Sequence, residues 1–599
     1  MEKKNITSLV ENIGLWIVCC MLLLTPLVVD YSLAERMVMG KVFWFHLAMG
    51  LCSAYVLLMG VCGKIKFPKF TVPDFLVCAF AVWTLLFYDW FLNPEMDKLL
   101  FGGQLLIFWF LFRALLNNFH FTKLFFFVII ISVGIFEALW GLAQIYGIAL
   151  PQHTVFILTG SFYNPGPYSG LLSVVFPIGM GVFLKYKKGL HSLALLGVLA
   201  ILIMIPSGMS RTAWLGMIVS SAWIYWHARI GWHKTRMCFI KYSFRTWSVV
   251  SVSVILLSGV SWGLYHIKKD SADGRLLLWK VSALTINEHP IGGTGLGGFS
   301  TAYMQKQADY FQSGKATERE QFLASTPRYA FNEYLQIGVE QGYVGLLLFC
   351  SFYLLLIHRG IKSHQIEAVG GLLSLAVFAF ASYPFQLPSF WILFLSLGGI
   401  CLMDEVDKEE ERHRGVLQTG LAATASCFCV LFLYLAAPYY HAYKEWGGLQ
   451  IRYYKQKGVT AIDGYKRCYP LLKHNPDFLF EYAQCLIAAE RPQEAIPLLN
   501  RARRLNGDPI IGDTESYCLH VSGRYEEAEA LLIQSTARLP ERIHPYFRLV
   551  KLYAEPNFYQ PAKLLNVAET LLGKEPKVFN PFVAGFREEV KQILIEKHL

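Results

Sequence analysis

The residues with most to offer chemically lie in four short blocks between apolar runs. In Ser207-Gly208-Met209-Ser210-Arg211-Thr212-Ala213-Trp214, an arginine stands just ahead of a helical apolar stretch. A guanidinium beside the positive end of a helix makes an anion site, and arginine can grip phosphate with two parallel hydrogen bonds. An arginine at a membrane boundary also serves as a snorkelling anchor, so this block alone leaves both roles open. A second block has Asp273-Gly274-Arg275, followed by His289-Pro290-Ile291-Gly292-Gly293-Thr294-Gly295-Leu296-Gly297-Gly298-Phe299. Its glycines superficially match a dinucleotide fingerprint. No strand precedes them, so they read instead as sites where backbone amides or a bulky ligand come close. In Arg328-Tyr329-Ala330-Phe331-Asn332-Glu333-Tyr334-Leu335-Gln336, the residues Asn332, Glu333 and Gln336 share a helical spacing, and Glu340 lies a turn further on. The earliest block, Gly160-Ser161-Phe162-Tyr163-Asn164-Pro165-Gly166-Pro167, forces irregular backbone at a membrane surface. Such backbone is tolerated only inside protein or along a wet cavity, although an ordinary turn remains the alternative.

The chain that positions these blocks is mostly apolar. Of 599 residues, 54% are hydrophobic and only 16% charged, against about 25% charged in soluble domains. The charge is unevenly spread: residues 439–599 hold 22 basic and 19 acidic residues, a soluble balance, so most of the net +11 lies in the front. A spanning helix needs about 20 apolar residues. Thirteen runs qualify, the first near Ile13, the ninth near Trp247 and the last near Val416. The expected fold is therefore all-α: a polytopic membrane bundle of about 12–13 spans over residues 1–438, then a soluble helical domain over 439–599. Basic loops, such as those with Lys64/Lys66/Lys69 and Lys185/Lys187/Lys188, follow even-numbered spans on the side of Lys3 and Lys4. The positive-inside rule then puts the N-terminus in the cytoplasm and the segments around 147–167 and 267–341 outside, with 439–599 outside as well. The acidic linker 404–414 gives little orientation signal, and one misread span would move the last domain inside.

The C-terminal domain has a period. Ala495, Ala528 and Ala562 recur at intervals of 33 and 34 residues in similar contexts, including Gly523-Arg524-Tyr525-Glu526-Glu527-Ala528. A small residue at that interval lets paired helices approach closely, and the pattern resembles tetratricopeptide repeats; a generic array of helical hairpins would look much the same. Ten of the thirteen cysteines lie in or beside spans, and Cys468, Cys485 and Cys518 suit packing between repeat helices. No Cys/His spacing suits zinc, there is no phosphate-binding Gly-Lys-Ser/Thr loop, and the basic loops serve orientation rather than nucleic acid.

Taken in order, the blocks G-S-F-x-N-P, S-R-T-A-W, G-R-x-x-x-W with H-P-x-x-G, and N-E-Y-L-Q with E-x-G-x-x-G resemble the O-antigen ligase and polymerase superfamily over about residues 150–400. That superfamily also includes O-linked protein oligosaccharyltransferases. The resemblance implies a GT-C-type membrane glycosyltransferase of the bacterial inner membrane. It would take a glycan from undecaprenyl diphosphate on the periplasmic side, with inversion and without cofactor or metal. Many members have His just before the Asn of the N-x-Y-L block, where this chain has Phe331. Either the base lies elsewhere, with Glu340, Glu333 and His289 as candidates, or no strong base is required.

The expected chemistry is then mainly electrostatic, with cations aimed at oxygens that gain charge as the C1–O bond breaks. Arg211, Arg275 and Arg328 are the expected diphosphate ligands. Asn164, Asn332 and Tyr334 are expected to line the substrate site, and Glu137 to support it or simply hydrogen-bond inside the bundle. The acceptor is open between a protein hydroxyl, lipid A–core and the end of another glycan; an outward repeat domain leans toward a protein acceptor, or toward a protein partner. A flippase of lipid-linked sugar is the alternative of another class, but the two related halves that transporters often show are missing.

Overall fold

A computed structural model describes residues 2–88, 96–119, 121–231, 269–403, 415–456, 461–574 and 581–599, with isolated residues at 248 and 251. Among them every regular element is helical. The membrane part begins with α1 (Glu2–Leu23), α2 (Arg36–Val61), α3 (Val72–Leu86), α4 (Met96–Asn118) and α5 (Phe121–Ile145). It continues through α6 (Pro165–Lys185), α7 (Gly189–Met204) and α8 (Arg211–Tyr225). After the long connection come α9 (Lys269–Glu288), α10 (Phe299–Gln312) and α11 (Glu318–Leu323), then α12 (Glu333–Lys362), α13 (Ile366–Phe380) and α14 (Pro388–Cys401). Among the described residues, seven helices are long and apolar enough to cross a membrane, and four shorter apolar ones accompany them. The expected span near Trp247 and the acidic linker 404–414 lie outside the described residues.

Close packing in the bundle relies on small residues, as expected where lipid offers no hydrophobic drive between helices. A methyl group on Gly216 of α8 would meet the Ser374 carbonyl at 2.9 Å, and one on Gly170 of α6 would meet the Phe378 ring at 2.2 Å. Helix α13 is thus wedged between α6 and α8, and Ser374 Oγ donates to the Ser173 carbonyl at 2.6 Å.

Helix α12 is broken. Gly342 has φ +67° and ψ −173°, which separates a short arm, 333–341, from the long span that follows. The glycine-rich loop closes on this break. Thr294 and Gly295 donate their amides to the Val339 and Glu340 carbonyls at 2.8 and 3.0 Å, and the Tyr343 amide donates to the Pro290 carbonyl at 2.7 Å. The loop therefore supplies partners that a broken helix would otherwise leave orphaned. Its glycines admit the chain's own backbone: Cβ atoms on Gly293 and Gly342 would lie 2.4 Å from the Glu340 carbonyl carbon and 2.1 Å from the Ile291 oxygen.

One helix, α15 (Gly415–Gln456), runs from the bundle into the C-terminal region, so the expected boundary at 438 falls inside a continuous element. Beyond it come α16 (Ile462–Leu472), α17 (Pro476–Ala488), α18 (Pro492–Leu505), α19 (Pro509–Val521), α20 (Tyr525–Arg538), α21 (Ile543–Ala554), α22 (Pro561–Gly573) and α23 (Pro581–Glu596). These pair as antiparallel hairpins with short turns, α17 with α18, α19 with α20 and α21 with α22. Ala495 and Ala528 are fully buried in α18 and α20. Ala562 is exposed, and the buried residue at the matching third step of α22 is Leu564, so the last repeat is two residues out of the expected register. Cys468, Cys485 and Cys518 are buried and free.

The repeats sit on the same face of the bundle as α9–α11. The Gln307 amide donates to the Arg538 carbonyl at 2.8 Å, and Ser300 Oγ donates to Asn506 Oδ1 at 3.1 Å. Leu33, Ala34, Met39 and Val42 belong to the same core as Tyr443, Trp446 and the first repeat helices.

Candidate active site

The arm that carries Asn164 is held by polar side chains from inside the bundle. Gln144 Oε1 accepts from the amides of Thr159 and Gly160 at 2.9 and 2.8 Å. Glu137 Oε2 accepts from the Ser161 amide at 3.1 Å, and Lys41 donates to the carbonyls of Ser161 and Val28 at 3.0 and 2.7 Å. Burying a carboxylate and an ammonium is expensive unless each is paired and hydrogen-bonded, and here each is anchored to the same short stretch of backbone. Gly160 is required on two counts. Its φ is +55°, and a Cβ would lie 2.2 Å from Glu137 Oε2. Asn164 then performs two tasks: its Oδ1 caps α6 by accepting from the Gly166 amide at 2.7 Å, and its Nδ2 donates to the Tyr383 hydroxyl at 2.8 Å.

Tyr383 lies in the turn between α13 and α14 and forms the hub of an aromatic cluster. Its ring stacks on Tyr329 at 5.3 Å and meets Phe331 edge-on at 5.1 Å. Over the Phe331 ring sits the Arg275 guanidinium, 5.4 Å from the ring centroid, with Nη1 donating to the Ala381 carbonyl at 2.9 Å. Arg211, the first residue of α8, is close enough to act on Arg275 electrostatically. The Arg275 pKa is depressed, first by burial and second by the positive charge of Arg211. Two guanidiniums from separate helices repel one another, and an anion beside them would offset that repulsion.

Phe331 occupies a left-handed conformation, φ +48°, which is uncommon for a bulky residue. It ends the incoming loop so that Asn332 can cap α12, accepting from the amides of Tyr334 and Leu335 at 3.0 and 3.1 Å. Tyr334 donates to the Ala376 carbonyl at 3.1 Å and so ties α12 to α13.

The two expected carboxylates are engaged internally. Glu333 is 1% exposed; its Oε1 accepts from the Phe385 amide at 2.7 Å and its Oε2 from Gln386 at 3.1 Å, which fixes the turn carrying Tyr383. Glu340 accepts from Gln336 at 2.8 Å and from the backbone amides of Gly297 and Phe299. It therefore pins the glycine-rich loop.

Of the expected residues, His289 is not brought to this cluster, and Arg328, next to Tyr329, is paired outside it. His289 is exposed past the end of α9, fourteen residues beyond Arg275, or about 21 Å along a helical rise. Arg328 forms an ion pair with Asp477 at the start of α17 in the repeat domain. Burial acts to lower its pKa, but the charge of Asp477, joined by Tyr329, the Asp477 hydrogen bond and Glu35, holds it above the usual arginine range. Tyr383 has one signal in the sequence: Tyr383-Pro384-Phe385-Gln386-Leu387-Pro388 interrupts two apolar runs on the outward side by the same span count.

Comparison with known proteins bears directly on this region. Residues 169–350 match the O-antigen ligase family. The matched stretch contains Arg211, Arg275, Asn332, Glu333 and Glu340, and it indicates a membrane glycosyltransferase-type enzyme acting on a lipid-linked glycan. Asn164 and Tyr383 flank it on either side. No curated protein matches the chain significantly. Among solved structures, one similar chain is that described as "Crystal structure of YrrB: a TPR protein with an unusual peptide-binding site". It is 20% identical, with 31% of this chain and 88% of that one covered and a TM-score of 0.23. The C-terminal region itself is an array of antiparallel α-helical hairpins.

Proposed function

We propose that the protein transfers a glycan from undecaprenyl diphosphate to an acceptor hydroxyl on the periplasmic face of the bacterial inner membrane. The observation that carries this reading is the convergence of Arg211 and Arg275 beside the Asn164–Tyr383 pair, within and alongside the segment that matches the ligase family. In this reading the two guanidiniums hold the diphosphate. The acceptor oxygen forms the new bond to C1 as the C1–O bond to phosphate breaks, with inversion, and the electron pair leaves with undecaprenyl diphosphate. The acceptor proton passes to a diphosphate oxygen, because Glu333 and Glu340 are occupied with backbone and amide partners. Fixed cations in a water-poor site stabilise such a leaving group without reorganising during the reaction.

The acceptor we favour is a protein hydroxyl. The repeat domain shares a face with the proposed site and is joined to it through Arg328 and Asp477, and helical repeats offer concave surfaces to peptides. Deletion of the gene, followed by staining of lipopolysaccharide and of periplasmic glycoproteins, tests the assignment. Loss of glycoprotein staining with intact O-antigen is the expected result. Loss of O-antigen alone would make the acceptor lipid A–core, and shortened polysaccharide would make the enzyme a polymerase. Unchanged glycans in every fraction would overturn the whole reading.

A further inference from the structure

The connection between α5 and α6 combines two properties that rarely occur together in water. It is ordered, and its apolar side chains point outward. Tyr146 is 74% exposed, Ile148 82%, Leu150 85%, Val155 75% and Ile157 65%. A floppy loop would explain such exposure trivially, but this one is tied at several points. The amides of Ile148 and Ala149 both donate to the Ala143 carbonyl, at 2.8 and 3.1 Å. The Gln152 amide donates to Thr159 Oγ1 at 3.0 Å and its side chain to the Tyr31 hydroxyl at 2.7 Å. His153 Nδ1 accepts from the Val155 amide at 2.9 Å, and its ring packs against Phe156 and Tyr163 at 4.7 and 4.5 Å.

Three further observations identify what covers this surface. Residues 146–160 contain no Asp, Glu, Lys or Arg, so nothing in the segment recommends it to water or to a charged partner. The patch also continues a surface already turned toward lipid: Phe136, Leu139 and Leu142 on α5 are 51, 56 and 37% exposed, and the stripe runs on into Tyr146 and Ile148. Finally, the rim is aromatic, with Tyr31 and Tyr163 59 and 56% exposed, as in the aromatic belts where membrane proteins meet the headgroup level. Backbone at this depth requires its own hydrogen bonds, and the ties just described supply them.

We infer that residues 146–157 form a foot that enters the adjacent leaflet of the membrane, where lipid hydrocarbon is its partner. The same loop continues through the stretch held by Gln144, Glu137 and Lys41 to Asn164. A foot seated in the leaflet would therefore hold the Asn164 arm at the membrane surface, where the head of a lipid-linked molecule lies. The inference depends only on the chain spanning a membrane and not on the transfer reaction proposed above.

The test uses the full-length protein with p-benzoylphenylalanine introduced at Leu150, reconstituted in vesicles of phosphatidylethanolamine and phosphatidylglycerol. A parallel variant carries the probe at Gln312, an exposed position at the end of α10. Irradiation followed by mass spectrometry is expected to give phospholipid adducts at 150 and none at 312. If the Leu150 variant does not elute as folded protein, the probe at Ile148 carries the same expectation. Adducts to a second copy of the chain at these positions would overturn the inference in favour of a dimer face. Equal, solvent-like behaviour at 150 and 312 would overturn it outright. Glycan transfer is not part of the readout, so failure of the proposed function would leave this result interpretable.

Discussion

Replacing Arg275 with alanine separates a site built for an anion from a site built only to fold. In the folded protein Arg275 makes one charge-assisted hydrogen bond, to the Ala381 carbonyl, and one cation–π contact, with Phe331. The first is worth about 1.5–3 kcal/mol and the second about 0.5–2 kcal/mol. Against these stands the repulsion from Arg211, which the alanine relieves. The net cost to folding therefore stays below their sum of about 2–5 kcal/mol, a shift of a few degrees at most in a chain of this size. The expected cost to catalysis falls on a separate readout. One fixed donor to a developing oxyanion is worth about 2.7–4 kcal/mol, or roughly 10²–10³ in rate. The assay is transfer of glycan from an undecaprenyl-diphosphate donor in proteoliposomes, run beside thermal unfolding of the same preparations. Arg275→Ala and Arg211→Ala should lose two to three orders of magnitude in turnover with nearly unchanged melting. Arg328→Ala should do the reverse, keeping turnover near the parent value while loosening the contact with Asp477. Near-parental turnover in Arg275→Ala, or the same loss in Arg328→Ala, would refute the reasoning.

Glu333→Ala strands the buried Phe385 amide and should cost about 1–3 kcal/mol in thermal stability. Glu333→Gln retains an acceptor for that amide and should keep both stability and transfer; a folded but inactive Gln variant would instead show that the carboxylate takes part in the chemistry. Gly342→Ala must accept a positive φ and a Cβ 2.1 Å from the Ile291 oxygen, a combined cost of roughly 2–5 kcal/mol, read as loss of monodisperse protein in detergent. Glu35 lies where the start of α2 meets the repeat domain, and burial first and Asp477 second raise its pKa to about 7. A raised carboxyl binds a proton in the folded state that the unfolded chain releases, so stability should rise as pH falls from about 7 toward 4.5. Glu35→Gln should flatten that slope in melting curves taken across the window, since an amide cannot titrate.

Much of the helical framework was readable because membrane spans and helical repeats are local signals. Twelve of the thirteen expected span starts fall on described helices, of which seven are long and apolar enough to cross a membrane. The same logic found Ala495 and Ala528, whose burial needs only the neighbouring helix. It failed at Ala562, where the chain enters α22 after a 3₁₀ turn at Pro556–Phe558 and the register slips by two residues.

Side chains of one type in one loop are where sequence stops being informative. By residue type and expected side of the membrane, Arg275 and Arg328 are equivalent candidates. One lies against Phe331 and near Arg211, while the other is claimed by Asp477, 149 residues away. Glu333 and Glu340 read as acids on one helical face, but folding brings the Phe385 amide and the glycine-rich loop onto them. Periodicity and composition fix what each segment becomes, because those choices are settled within a few turns of chain. Which charges are left for a substrate is settled by partners distant in sequence, and only the packed structure determines which charges those partners neutralise.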